Sequence, residues 1–111
     1  MATITWEEFE RVEMRVGKVV EAEEFPEARK PSYRMRIDFG PLGLKKSSAA
    51  IKEWYAPGDL VGRHVVAVVN FSPKQIANFL SEVLVLGAIR EDGRVVLLRP
   101  DDGAEIGDRI A

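Results

Sequence analysis

Hydrophobic and polar positions along this chain fall into short runs, most of them with a period of two. The clearest is Ser32–Phe39, where Tyr33, Met35, Ile37 and Phe39 alternate with Arg34, Arg36 and Asp38. Successive side chains of a strand point to opposite faces, so this segment predicts a half-buried strand with one apolar and one charged face. Met14–Ala22 (M-R-V-G-K-V-V-E-A) is rich in β-branched residues and carries Gly17 inside it. An interior glycine predicts a bulge or a sharp bend, as where one strand curls between two sheets of a small barrel. The stretch G-P-L-G-L-K-K-S-S-A-A predicts a turn and a third strand. A short irregular or helical piece follows through Ile51, Trp54 and Tyr55, closed by Pro57-Gly58. His64–Asn70 is a continuous, valine-rich apolar run too short for a typical helix, which predicts a central strand. Glu82–Ile89 predicts a fifth strand, Glu91-Asp92-Gly93 a hairpin turn, and Val95–Arg99 a strand pairing back antiparallel. The tail P-D-D-G-A-E-I-G-D-R-I, with Ile106 and Ile110 isolated among turn residues, predicts a short terminal strand.

Two segments carry helix signals. Thr5 and Glu8 have capping-box spacing, and Ile4 and Phe9 stand at the positions of a hydrophobic staple, predicting a short helix over about 6–13. It is shorter than the ~12–15 residues at which an isolated helix becomes marginal in water, so Trp6, Phe9 and Val12 must dock on the domain or on a partner subunit. Phe71-Ser72-Pro73 predicts a second helix, with Ser72 as N-cap, Pro73 in its first turn, and Ile76, Phe79 and Leu80 on one face. Five strands, a glycine-bent first strand and short helices at the N-terminus and between strands predict an all-β fold. The expected form is a single five-stranded Greek-key barrel of the oligonucleotide/oligosaccharide-binding (OB) type over residues 1–111; a generic barrel or sandwich is the alternative.

Composition narrows the chemistry. With 111 residues, 46% of them hydrophobic and 31% charged, the chain is one folded domain, too short for an ordinary two-domain nucleotide-dependent enzyme. It has no cysteine, which excludes disulfides, thiolate zinc sites and thiol catalysis. No apolar stretch approaches the ~18–20 residues that span a bilayer, and there is no basic region with an apolar core at the start, so a cytoplasmic protein without membrane insertion is expected. The net charge of −2 conceals an asymmetry: residues 1–27 carry net −5, residues 28–80 net +6, and residues 81–111 net −3. A basic middle between acidic ends creates a local positive surface unless folding intermixes the segments.

Catalytic constellations are missing from the sequence. The single histidine, His64, opens an apolar strand, and Ser47 and Ser48 lack a nucleophile-elbow setting. The acidic groups Glu21, Glu23 and Glu24, and Asp101 with Asp102, lack cation-loop spacing, and no glycine pattern cradles a phosphate. A non-enzyme without cofactor or metal is the expectation. Binding features are stronger. Arg34 and Arg36 share an exposed strand face, and Lys45 and Lys46 on the neighbouring strand extend it into one basic stripe that would attract phosphates in a salt-dependent manner. Tyr33 and Phe39 fall on the buried face, so backbone or shape recognition of a folded RNA is favoured over base stacking. Trp6, Phe9, Trp54, Tyr55, Phe71, Phe79 and Leu80 lie outside the barrel strands, in excess of what a small barrel buries. They either form a dimer interface or line an apolar groove for peptide.

The runs V-E-M-R-V-G-K-V, E-F-P-E-A-R, I-D-F-G, K-S-S-A, N-F-S-P and S-E-V-L-V-L-G, in this order from about Phe9 onward, closely resemble the CsaA family of export-related chaperones. That family lies within the tRNA-binding-domain superfamily. The resemblance implies an OB barrel forming a symmetric homodimer, with the chain ends helping the subunits join. It also implies binding of apolar segments of unfolded or secretory preproteins and a partnership with the secretory translocation ATPase. Candidate peptide-binding residues are Trp54, Tyr55, Phe71, Ile76, Phe79 and Leu80. The kinship further implies tRNA binding, for which Arg34, Arg36, Lys45, Lys46, Asn70, Lys74, Ser81 and Glu82 are the candidates. Against the superfamily motif N-x-x-P-[KR]-[KR], then a glycine and S-E-G-M, Asn70, Pro73, Lys74, Ser81 and Glu82 match. Gln75 replaces a basic residue, Asn78 a glycine, and Val83-Leu84 the G-M pair of tRNA binders, which points toward the chaperone branch.

Overall fold

A computed structural model describes residues 1–111. Nine strands appear: β1 (Met14–Glu24), β2 (Tyr33–Asp38), β3 (Leu44–Ala49), β4 (His64–Val68), β5 (Lys74–Ile76), β6 (Phe79–Ser81), β7 (Leu84–Val85), β8 (Gly87–Ile89) and β9 (Val95–Leu97). Two helices of about one turn accompany them, α1 (Trp6–Glu10) and α2 (Pro57–Leu60). Five strands join antiparallel in the order β3-β2-β1-β4-β7 and curl into a nearly closed barrel, the all-β OB architecture expected from the alternation. Its interior holds the alternating residues of β2 and the position just after it: Met35, Ile37 and Phe39 are each at most 1% exposed, packed with Val19, Leu60, Val65 and Ala67. Removing each large side chain from water contributes about 1.5–3 kcal/mol, so this set supplies the dominant stabilising term.

Strand β1 is long because it serves two neighbours. Its first half pairs with β4 (Arg15 with Ala67) and its second half with β2 (Ala22 with Met35), and a bulge lies between Val19 and Glu21. The irregularity is therefore displaced from Gly17, where the sequence reading put it. Gly17 serves close packing instead: a Cβ there would sit 2.6 Å from Ile37 Cγ2 and 2.7 Å from the Phe39 ring. The C-terminal segment lies along the first half of β1, through Gly107 N–H to Val16 O (2.8 Å) and Ile110 N–H to Met14 O (2.9 Å), in the place of the expected terminal strand.

Four elements differ from expectation. The segment after Ser72 is a β-hairpin, β5 and β6, rather than a helix. Ile76 and Phe79 are one turn apart in a helix but also directly paired across a two-residue loop, so the apolar spacing is degenerate. Ala77 at φ 50° with Asn78 after it settles the segment as a turn. The predicted fifth strand divides at Leu86: β7 pairs with β4, whereas β8 turns away to pair with β9. Pro57 opens α2 instead of ending the segment before it, and the Asp59 carboxylate accepts the Ala56 N–H at 3.0 Å. Helix α1 stops at Glu10, short of the expected residue 13, although its capping box forms as predicted (Glu8 N–H to Thr5 Oγ1, 3.1 Å; Thr5 N–H to Glu8 Oε1, 2.9 Å).

Candidate functional site

The basic face is built by the β1–β2–β3 ladder. Arg34 stands opposite Ser48 and Arg36 opposite Lys46, so Arg34, Arg36 and Lys46 share one face of the sheet. Lys45 stands opposite Ile37 and so falls on the other face; adjacent residues of a strand diverge, and the expected four-residue stripe has three members. Neighbouring carboxylates on β1 temper that face. Glu23 accepts from Arg34 at 3.1 Å and Glu21 lies 3.8 Å from Arg36, each pair formed across the β1–β2 register.

Above this face the β5–β6 hairpin is held by a tilted pair of aromatic rings. Phe79 packs on Phe25 with centroids 5.4 Å apart, Arg34 lies over Phe25 and Lys46 over Phe79. Lys46 is thus drawn to an aromatic face, a contact that ordinary counting of free charges would miss.

The remaining members of the superfamily motif perform structural work. Strand β3 has no complete ladder partner on its outer edge, and the segment 81–83 closes the barrel there. Ser81 Oγ accepts the Ser48 N–H (3.1 Å), Glu82 Oε1 accepts the Lys46 N–H (3.0 Å), and Glu82 N–H donates to Lys46 O (2.8 Å). Buried Ser47 adds a hydroxyl donation to Val83 O at 3.0 Å. Asn70 spans another seam: its Oδ1 accepts from Glu13 N–H (3.0 Å) and its amide donates to Arg11 O (2.7 Å), tying the end of α1 to the end of β4. Glu13 in turn receives Arg15, whose guanidinium hydrogen bond holds the carboxyl below the usual carboxylate range.

The apolar candidates divide into two groups. Phe71, Ile76, Val83 and Leu84 line a cleft of about 380 Å³ together with Lys74 and Glu82. Phe71 is 56% exposed and Leu84 48%, while Leu80 lies on the far strand of the hairpin and Phe79 is largely committed to Phe25. Trp54 and Tyr55 stand elsewhere. Tyr55 belongs to the core: its carbonyl accepts from Tyr33 Oη (2.7 Å), its hydroxyl accepts the Leu97 N–H (3.0 Å), and Arg63 covers its ring. Trp54, 40% exposed, lies under Arg94 beside a smaller cleft of about 280 Å³. Trp6 is 83% exposed and Val12 38%, so α1 does not dock them on its own barrel. Ile89 (79%), Val96 and Leu98, which the sequence reading did not single out, are also uncovered. Their strand pattern hid this, because two-stranded β8–β9 has no second layer over its outer face. No group of three or more acidic or histidine side chains is disposed to hold a metal ion, and no helix is long and apolar enough to cross a membrane.

A small, nearly closed barrel with clefts beside a flanking hairpin, a basic sheet face and chain ends packed outside is the layout of an OB-type binding module. The family model described as "Putative tRNA binding domain" matches residues 14–109, and the chain belongs to that family. Among solved structures, it superposes on the chaperone CsaA of Bacillus anthracis strain Ames with TM-score 0.94 and 52% identity, covering 99% of this chain and 100% of that one. The CsaA chaperone protein of Picrophilus torridus gives TM-score 0.92 and 53% identity, with 98% and 100% covered. The methionine–tRNA ligase of Bdellovibrio bacteriovorus is 38% identical over 109 residues, 98% of this chain but 16% of that protein. The chain therefore spans about a sixth of the curated ligases it matches.

Proposed function

We propose that this protein is a non-catalytic, homodimeric chaperone that binds apolar segments of unfolded or secretory polypeptides in support of export. The observation that carries the reading is the open cleft lined by Phe71, Ile76, Val83 and Leu84, in which Phe71 and Leu84 are left exposed beside a barrel whose own core, Val83 included, is complete. The 52–53% identity to two chaperones supports it. Uncovered Trp6, Ile89 and Leu98 give a dimer an apolar surface to bury. In this reading the dimer works in the cytoplasm and hands clients to the secretory translocation ATPase.

Light scattering of a chemically denatured model protein, diluted into excess dimer, tests the proposal. Scattering should fall, and Phe71→Ala should restore it while leaving thermal stability within about 0.5 kcal/mol, because an exposed side chain contributes little to folding. Absence of suppression by the unaltered protein would refute the reading.

A second reading, tRNA binding, rests on Arg34, Arg36 and Lys46 sharing one face and on the family match. Ion pairs with Glu21 and Glu23 lower the potential of that face. Retardation of total tRNA that weakens steadily with added salt would favour it.

A further inference from the structure

The cleft beside Phe71 does not end at the hairpin. A larger cleft, about 710 Å³, shares Ser48, Lys74 and Ile76 with it and runs along the whole of β5 to the loop of residues 27–32. That cleft in turn shares Lys30 and Ala50 with the cleft beside Trp54. The three clefts adjoin through these shared wall residues as a trough across the barrel, with Phe71 and Leu84 at one end and Trp54, beside the carboxylates of Glu53 and Asp92, at the other.

The middle of the trough differs from its ends. It is walled by Arg29, Lys30 and Lys74 against a single carboxylate, Glu27, and none of the three cations is in an ion pair. Its floor is made of small side chains, Ser32, Ser48 and Ala50, with no aromatic ring on which a base could stack. Along one wall, the backbone of Lys74–Ile76 makes no hydrogen bond beyond its pairing with β6, so its outward groups are open to an extended chain. A ligand suited to all three properties offers anionic groups in its middle, bulky apolar groups on either side and a backbone that can pair.

We propose that the trough selects extended polypeptide segments carrying acidic side chains between two apolar clusters. This rests on the polypeptide-binding reading above and adds a charge preference to it. Exposed ion pairs are individually weak, at ~0.2–1 kcal/mol, so three cations acting together should favour an acidic over a basic centre by about fivefold or more at low salt.

Fluorescence anisotropy with three labelled peptides of equal length and identical apolar flanks, differing only in an Asp-Glu, Ser-Gly or Lys-Arg centre, measures the preference on the full chain. The expected order is acidic, neutral, basic. The variant Arg29→Ser/Lys30→Ser/Lys74→Ser should abolish the difference between acidic and neutral centres, shift the neutral peptide less than twofold, and unfold at the unaltered temperature. Equal affinity for all centres, tighter binding of the basic centre, or a preference that survives the triple variant would overturn the proposal. So would a labelled uridine oligonucleotide that binds the unaltered chain and not the triple variant while none of the peptides binds. Aggregation suppression is scored in parallel: its loss defeats the chaperone reading, whereas suppression without charge preference defeats only this inference.

Discussion

Replacing Glu82 tests whether its carboxylate closes the barrel. In Glu82→Ala the Lys46 N–H loses an acceptor at 3.0 Å, and the adjoining bond from Glu82 N–H to Lys46 O, at 2.8 Å, loses the side chain that aligns it. A hydrogen bond to a charged acceptor contributes about 1.5–3 kcal/mol. Glu82 is only half-buried and water can reach the freed N–H, so a loss of about 1–2 kcal/mol is expected, or about 5–10 °C in Tm for a domain of this size. Urea unfolding followed by circular dichroism should show the midpoint falling by about 1 M at constant slope, since the surface exposed on unfolding is unchanged. Glu82→Gln keeps an oxygen acceptor in place and should recover at least half of the loss. Because Glu82 and Val83 wall the cleft beside Phe71, peptide affinity should fall with stability in the Ala variant and return in the Gln variant. An unchanged midpoint in Glu82→Ala, or a Gln variant as unstable as the Ala variant, would refute the assignment of this carboxylate as the seam acceptor.

Gly17→Ala should cost about 1–3 kcal/mol by overpacking against Ile37 and Phe39, whereas Gly58→Ala, which meets nothing within 4 Å, should be neutral or slightly stabilising in the same thermal melts. Glu13, held below its usual value by Arg15, binds its proton less readily folded than unfolded, so its contribution is present above the unfolded pKa of about 4.5 and is lost as pH falls through the folded value. Glu13→Gln should accordingly flatten the acid limb of the stability–pH curve, and a limb of unchanged slope would contradict that. Lys52 has the opposite sign: its hydrogen bond with Glu24 raises its pKa, so its contribution is complete below the unfolded value near 10.5 and disappears as pH rises through the folded one, a loss that Lys52→Met should remove from alkaline titrations.

The barrel was legible where one physical rule acted alone. Tyr33, Met35, Ile37 and Phe39 alternate because one face is buried, and the structure buries all four. The capping box was legible because it needs only residues three apart. The segment 72–81 was misread because Ile76 and Phe79 satisfy the helical spacing and the hairpin spacing equally, and the choice rests on the turn at Ala77-Asn78. The candidate surfaces were legible as residue types but not as arrangements. Lys45 and Lys46 look like one charged unit in sequence and diverge across the sheet. Glu21 and Glu23 gave no sign of pairing with Arg36 and Arg34, because register joins them across a loop. Ser81, Glu82 and Asn70 stood out as motif members, yet their hydrogen bonds go to backbone groups far along the chain, which no local pattern records.

The placement of the two tryptophans has a practical consequence. Trp6 sits on an outlying helix and Trp54 at the rim of a cleft under Arg94, and neither belongs to the core. Trp6 is therefore water-exposed whether or not the chain is folded, whereas Trp54, 40% exposed, is already partly covered in the native state. Events that cover the rings further change their emission: a subunit closing over Trp6, or a ligand settling against Trp54, moves each indole from water to an apolar setting and shifts the emission to the blue. Single Trp54→Phe and Trp6→Phe variants turn the chain into its own label-free reporter, the first of assembly and the second of occupancy.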